Sequence, residues 1–397
     1  MENEIIVIGA GAAGCMAAIT AARAGRSVLV LEKNSIIGKK ILATGNGRCN
    51  YTNEKMGDGF FRGEAPSFIS KALSKFSVED TIEFFKSIGI YPRSKDGYLY
   101  PLSREASSVR LALENELKRL GVKIVYECAV SDIVPNENGY TVLSDKGDFE
   151  TEKVLLSPGG CAAPSSGSDG KLFEAVKKLG IKISEPAPAL VPVKCKSKYL
   201  KKLSGVRAKA HARLYFAEGE KSREILAEDV GEVQFADYGL SGIVIFNLSR
   251  FISKNPGENF VIRLNFLPEF SENKLKEIIA LRLAEAKEGV SLQKTFNGFL
   301  PAKLLEVMDE RINGYYSAEN IYGLFADFDF SCKGTLDFER AQVTAGGVLL
   351  TELTENFESE KLPGLFFAGE ITDADGICGG YNLQWAWTSG YLAGMEL

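Results

Sequence analysis

The 397-residue chain has one histidine, His211, and no Cys-x-x-Cys pair among its seven cysteines. A lone imidazole with cysteines scattered at 15, 49, 128, 161, 195, 332 and 378 offers no zinc-ligand spacing, so no metal site is expected. The odd, dispersed set also argues against a disulfide framework and against a dithiol reductase, and fits a reducing cytoplasm. No apolar run approaches the roughly 18 residues that span a bilayer. The first residues, "MENE", are acidic where a secretion signal needs positive charge. Net charge is only −5, so no strong field for nucleic acid or membrane surfaces is built in. These absences leave an ordinary globular protein with a 45% apolar composition, long enough for two or three domains.

What is present begins at the N-terminus. Ile5 to Ile8 form a short β-branched run, followed by Gly9-Ala10-Gly11-Ala12-Ala13-Gly14, a small-residue helix and a second apolar run, Ser27 to Leu31. This order predicts strand, tight turn, helix, strand. Gly9 permits the turn, Gly11 lets a pyrophosphate approach the backbone, and Gly14 lets the helix pack on the strand. The helix start at Ala12 and Ala13 offers free N–H groups to phosphate. Gly25 suits the helix stop. Glu32 follows the second strand, where a carboxylate can accept ribose hydroxyls and disfavours a 2′-phosphate. A dinucleotide site is therefore expected here.

The C-terminus decides which dinucleotide. Leu365 to Ala368 read as a buried strand ending at Gly369-Glu370, and Gly379-Gly380 opens a helix through Leu383, Trp387 and Leu392. An acid at a late strand end can hold ribityl hydroxyls. A glycine-started helix, beginning Tyr381-Asn382-Leu383, can face the flavin edge that gains negative charge on reduction. This arrangement suits FAD. No second GxGxxG follows a later strand, so NAD(P)H would dock only transiently.

At this point the stretches "GKKILATGNGRCNYTN" (38–53), "PALVPV" (188–193), "GLSG" (239–242), "AQVTAGGV" (341–348) and "LFFAGEITDADGICGGYNLQWAWTSG" together resemble the YhiN/BaiN-like flavoprotein family nearly end to end. The resemblance implies an α/β fold: a Rossmann-type FAD-binding domain of the glutathione-reductase type, with an inserted β-rich domain and helical cap. It implies that Thr44, Gly45, Gly47, Arg48, Cys49 and Asn50 run alongside the cofactor instead of forming a second phosphate loop. Lys33 and Lys40 join the same expected site. So do Ser157, Pro158 and Gly159, in a turn where the family more often has Ala-Thr, and Val130, placed to meet adenine.

The prolines of "EPAPALVPV" mark the boundary of the insert. The expected division is 1–190 and 341–397 for the FAD domain, 191–270 with 320–340 for the β-rich substrate domain, and 271–319 for the helical cap. "AKAHARLYF" and "ENFVIRLNF" read as strands. Ser271 caps a helix with the apolar stripe Leu275, Ile278, Ile279 and Leu283, stopped at Gly289, and Pro301 opens another. Eight Lys or Arg residues and no acid lie between Lys194 and Arg213. Their alternation with alanine fits a solvated strand face better than an anion-attracting mouth, and it places His211 on that face. Phe235-Ala236-Asp237-Tyr238 stands where the family often has Phe-Thr-His, and Cys378 stands where threonine is common.

The expected activity is that of an FAD-dependent oxidoreductase acting on a small-molecule substrate, with no membrane partner. Relatives suggest NAD(P)H-driven reduction of an unsaturated ketone, such as a bile-acid intermediate. The alternatives are amine oxidation by O₂ and, with only the basic stretch behind it, FAD-dependent RNA modification. No general acid or base stands out.

Overall fold

The computed structural model describes residues 3–219, 224–286 and 291–397. They divide into two compact units, one of residues 1–187 with 342–397 and the other of residues 188–341. Among the described residues, no helix is long and apolar enough to cross a membrane.

The first unit is built on a mainly parallel sheet. Asn3–Ile8 lies between Val28–Leu31 and Gly147–Leu156, with Lys123–Val125 beyond Val28–Leu31. Val28–Leu31 is buried at every residue, the continuous apolar pattern of a strand covered on both faces. The ten-residue strand Gly147–Leu156 takes two partners in succession. Residues 147–151 pair antiparallel with Gly139–Ser144, and residues 154–156 pair parallel with Leu365–Phe367. The chain therefore delivers the C-terminal segment to the same sheet end as the N-terminal turn.

Helix Ala12–Arg23 and the C-terminal helix Tyr381–Glu396 pack unusually close. A Cβ at Gly390 would lie 2.4 Å from the Ala13 carbonyl oxygen, so only glycine allows this approach. The same N-terminal helix is tied to helix Ala106–Arg119 by Glu116. That carboxylate accepts from Arg23 at 2.7 Å and 2.9 Å and from Arg119 at 2.7 Å and 2.9 Å. Arg119, aided by Arg23 and opposed by burial, lowers the Glu116 pKa to about 2. A carboxylate held below its unfolded value contributes stability above pH ~4.5 and loses it as pH falls through its folded value. Glu116→Gln is expected to cost about 1–3 kcal/mol at neutral pH, discounted for the exposed Arg119. Urea titrations of variant and parent should converge between pH 4.5 and 2; a constant gap would refute the assignment.

The second unit contains a closed antiparallel barrel in the order Val193–Lys196, Gly239–Ser241, Ala227–Ala236, Arg207–Phe216, Phe260–Asn265 and Phe328–Thr335. Its inward residues, among them Ala210, Ala212, Leu214, Ile262, Leu264 and Phe330, share one apolar core with helices 272–285, 302–312 and 318–326. Ser271 caps the first of these by accepting from the Lys274 amide, and Leu275 and Ile279 are its buried residues. Gly289 lies outside the described residues. The stretches read as β-rich also hold helices: the short Leu200–Leu203, most of Ala318–Ala326, and Ile243–Ser253, whose Val244, Ile245, Leu248 and Ile252 are buried at helical spacing.

The basic stretch lies in this unit. Lys202 pairs with Glu306 and Glu310, Arg207 with Glu232, Lys209 with Glu269, and Arg213 with Asp327. His211 Nε2 lies 2.9 Å from Glu228. Arg207, Lys209, His211 and Arg213 alternate with buried Ala208, Ala210 and Ala212, so the strand face is outward and charge-balanced.

Candidate active site

A cavity of about 360 Å³ lies at the carboxyl ends of the parallel strands in the first unit. Gly9, Gly11, Ala12 and Ala13 line one wall. A Cβ on Gly14 would lie 1.9 Å from the Gly9 carbonyl oxygen, so Gly14 acts behind this wall, fixing the turn against the helix. Helix Ala12–Arg23 starts without a side-chain cap, leaving its first amides available. Above Gly11 an added Cβ would meet nothing within 4 Å, an open cradle that suits a phosphate.

Glu32 and Lys33 line the cavity at the end of the second strand. The Glu32 carboxylate accepts from the amide of Ala10 at 2.7 Å and of Asn34 at 2.7 Å. The Asn34 side-chain amide also donates to it at 2.6 Å, so Glu32 braces the glycine turn itself and keeps one lone pair, on Oε2, for a hydroxyl donor. Lys33 pairs with Asp169 at 2.9 Å. Val130, at the start of strand Val130–Asn136, lines the cavity too, beside Cys128 and Ala129.

Ser157, Pro158 and Gly159 close the floor. The Ser157 hydroxyl donates to the carbonyls of Ile8 and Gly9, both at 3.0 Å, so serine at this turn locks it to the phosphate loop. Gly369, packed against Ala13, and Glu370 also line the cavity, with Lys40. Lys40 Nζ donates to Glu370 at 2.5 Å and to the Ala162 carbonyl at 3.1 Å. The other Glu370 oxygen accepts from the Thr344 amide at 3.0 Å and hydroxyl at 2.9 Å. The acid is thus oriented from both sides.

Thr44, Asn382 and Leu383 also line the cavity. Gly45, Gly47, Arg48, Cys49, Asn50, Gly379, Gly380 and Tyr381 are not among its lining residues. The 44–50 stretch is a compact coil, not a strand. Gly45, Asn46, Gly47 and Cys49 all have positive φ, and the Cys49 amide returns to the Thr44 carbonyl at 3.0 Å. Arg48 donates to the Gly45 carbonyl at 3.0 Å and lies over the Tyr100 ring. Burial pushes the Cys49 thiol up to about 12, so it is no thiolate nucleophile at neutral pH. Asn50 is buried and its Oδ1 has no hydrogen-bond partner. A Cβ on Gly380 would approach that oxygen to 3.0 Å, which puts it at the start of the C-terminal helix. That helix also begins without a side-chain cap. Tyr381 stacks on Phe60 at 4.8 Å, and burial pushes its phenol up to about 12.

Two groups escaped the sequence reading. The Gly167-Ser168-Asp169-Gly170 loop lines the cavity, and the buried Ser168 hydroxyl has no partner. Its glycine-flanked polar run was the available signal. Thr344, inside "AQVTAGGV", orients Glu370 and also accepts from the amides of Cys161 and Ala162. The residues fit FAD: a glycine cradle at an uncapped helix start, an acid at each of two strand ends, and an unpaired buried hydroxyl at Ser168. Among the described residues no cluster of His, Cys, Asp and Glu could hold a metal ion.

The family model described as "HI0933-like protein Rossmann domain" matches residues 3–396. The 3-dehydro-bile acid delta(4,6)-reductase of Clostridium scindens is 40% identical, over 99% of this chain and 98% of its own. The ribosomal RNA dihydrouridine synthase of Escherichia coli K12 is 29% identical, over 99% and 98%. Among solved structures, the 3-ketosteroid delta1-dehydrogenase of Sterolibacterium denitrificans superposes with a TM-score of 0.51 at 12% identity, covering 100% of this chain and 99% of that one, a likeness of fold. With a Rossmann-type FAD-binding α/β fold and an additional β-rich domain, the chain belongs to the HI0933-like, YhiN/BaiN family that its motifs resemble, and it is an FAD-dependent oxidoreductase.

Proposed function

We propose that this protein reduces a carbon–carbon double bond conjugated to a carbonyl in a small organic substrate, with NAD(P)H as the electron donor. The observation that carries the reading is full-length similarity to a relative named as a bile-acid reductase. A second relative is named a dihydrouridine synthase, and dihydrouridine is uridine with its carbonyl-conjugated double bond saturated. Both names describe one reaction class on very different substrates.

Bound FAD supplies hydride exchange at flavin N5. The chain's own residues position and polarise. Gly9, Gly11, Ala12 and Ala13 would hold the pyrophosphate, Glu32 the ribose and Val130 the adenine edge. Lys40 and Thr344 orient Glu370, which would accept from the ribityl hydroxyls. The uncapped start of the C-terminal helix, at Gly379 to Leu383, favours negative charge on the flavin edge. Asn50 packs beside that helix start.

A small-molecule substrate is favoured over RNA by the pairing of Lys202, Arg207, Lys209 and Arg213 with carboxylates. The test is anaerobic spectroscopy of the purified flavoprotein. NADH or NADPH should bleach the flavin band, and a 3-keto steroid with a conjugated double bond should restore it. No bleaching by either nucleotide, with peroxide formed on adding an amine, would overturn the proposal. Recovery of the band only on addition of ribosomal RNA would move the substrate to RNA.

A further inference from the structure

Cys195 and Cys332 are directly opposite one another on adjacent antiparallel barrel strands, Val193–Lys196 and Phe328–Thr335. The Cys195 amide donates to the Tyr238 carbonyl at 3.0 Å, on the strand's other side. The pair with Cys332 is therefore of the non-hydrogen-bonded kind, in which opposed Cα atoms stand about 4.5 Å apart. A disulfide requires roughly 4.4–6.8 Å, so the backbone already has the needed spacing. Both side chains sit on the inward face of the barrel, Cys332 buried at 9% exposure and Cys195 partly accessible. The two thiols are within hydrogen-bond reach, and that contact, with burial, holds the Cys332 proton well above its ordinary pKa. All seven cysteines are free thiols, and neither of these two lies in the cavity described above.

We propose that Cys195 and Cys332 are a thiol-exchange site that closes reversibly into a cross-strand disulfide by reaction with a low-molecular-weight disulfide. The Cys195 thiolate attacks one sulfur of the reagent, forming a mixed disulfide and expelling the first small thiolate. Cys332 then loses its proton and attacks the Cys195 sulfur, expelling the second. Two protein thiols are oxidised to one disulfide while the reagent disulfide is reduced to two thiols, so the exchange balances. Cys195 reacts first because it is the accessible partner. Once its sulfur is in the mixed disulfide, the thiol–thiol hydrogen bond that helped hold the Cys332 proton is gone. Oxidised glutathione is a reagent of this class. The bond would pin the strand that follows the boundary at Pro188, at the place where pairing shifts register between Val193 and Cys195.

The experiment is incubation of the full-length holoprotein with oxidised glutathione under nitrogen, followed by intact-mass and non-reducing peptide analysis. The expected result is loss of two hydrogen masses, one new link between the peptides carrying Cys195 and Cys332, and an increased urea midpoint for the oxidised form. Cys332→Ser should stop at one stable glutathione adduct on Cys195, and Cys195→Ser should leave Cys332 unmodified. Urea-denatured protein should lose the selectivity for this pair. A parent protein that keeps both thiols, holds a persistent adduct on Cys195, or links other cysteines equally fast would overturn the proposal and make the pair simple core packing.

Discussion

A Gly11→Val protein is expected to fold normally and yet to purify without yellow colour. A Cβ at this position meets no atom beyond its chain neighbours within 4 Å, so the native backbone is expected to survive the substitution, and its φ of −76° is open to any residue. The valine instead fills the cradle at the uncapped helix start, where phosphate oxygens would otherwise meet backbone amides. Loss of these contacts is expected to weaken FAD binding at least ~100-fold, or about 3 kcal/mol. Gly14→Ala makes the opposite case. Its Cβ would fall 1.9 Å from the Gly9 carbonyl oxygen and 2.6 Å from the Ser157 hydroxyl, so the strand–helix packing itself must give way. The ratio of flavin to protein absorbance, read beside the thermal melt, separates the two. A Gly11→Val protein carrying a full complement of flavin would remove the phosphate site from this wall.

The contrast also shows which parts of the site are legible in sequence. The glycine turn, its helix and Glu32 lie within one strand-turn-helix-strand unit, so local spacing suffices to find them. The Glu370 clasp joins Lys40, Thr344 and Glu370 across separations of 330 and 26 residues, and no local pattern predicts it. Glu370 is visible as an acid at a strand end, but the two groups that orient it are not. The helix Ile243–Ser253 is hidden for another reason. Its start, Ile243-Val244-Ile245, is β-branched and pulls a local reading toward strand, whereas burial of Leu248 and Ile252 against the barrel selects the helix. The basic stretch is legible in its alternation, while the carboxylates that neutralise it come from four separate segments.

Gln384 carries the other large expected effect. It lies in the "GGYNLQ" block, which invites a role in the cavity, yet it is 0% exposed and is not one of the cavity-lining residues. Its Oε1 accepts from the Thr52 hydroxyl at 2.6 Å. Its Nε2 donates to Thr81 at 2.8 Å, to Thr388 at 3.1 Å and to the Ser77 carbonyl at 3.3 Å. One side chain thus joins the first turn of the C-terminal helix to the strand Thr52–Asn53 and to the capped start of helix Val78–Ser87. Gln384→Leu keeps the volume but strips the acceptor from the buried Thr52 hydroxyl, leaving it without a partner, and a donor from Thr81, which keeps only its own bond to the Ser77 carbonyl at 3.0 Å. That is expected to cost about 2–4 kcal/mol, because an orphaned buried polar group loses its hydration and regains nothing. For a unit of this size the melting temperature should fall by roughly 5–15 °C. Flavin retention should fall with it, since the helix start beside the proposed flavin edge is then anchored on fewer sides. A calorimetric scan showing a shift of less than ~1 °C would mean that Thr52 and Thr81 find other partners and that the network is not what fixes this helix.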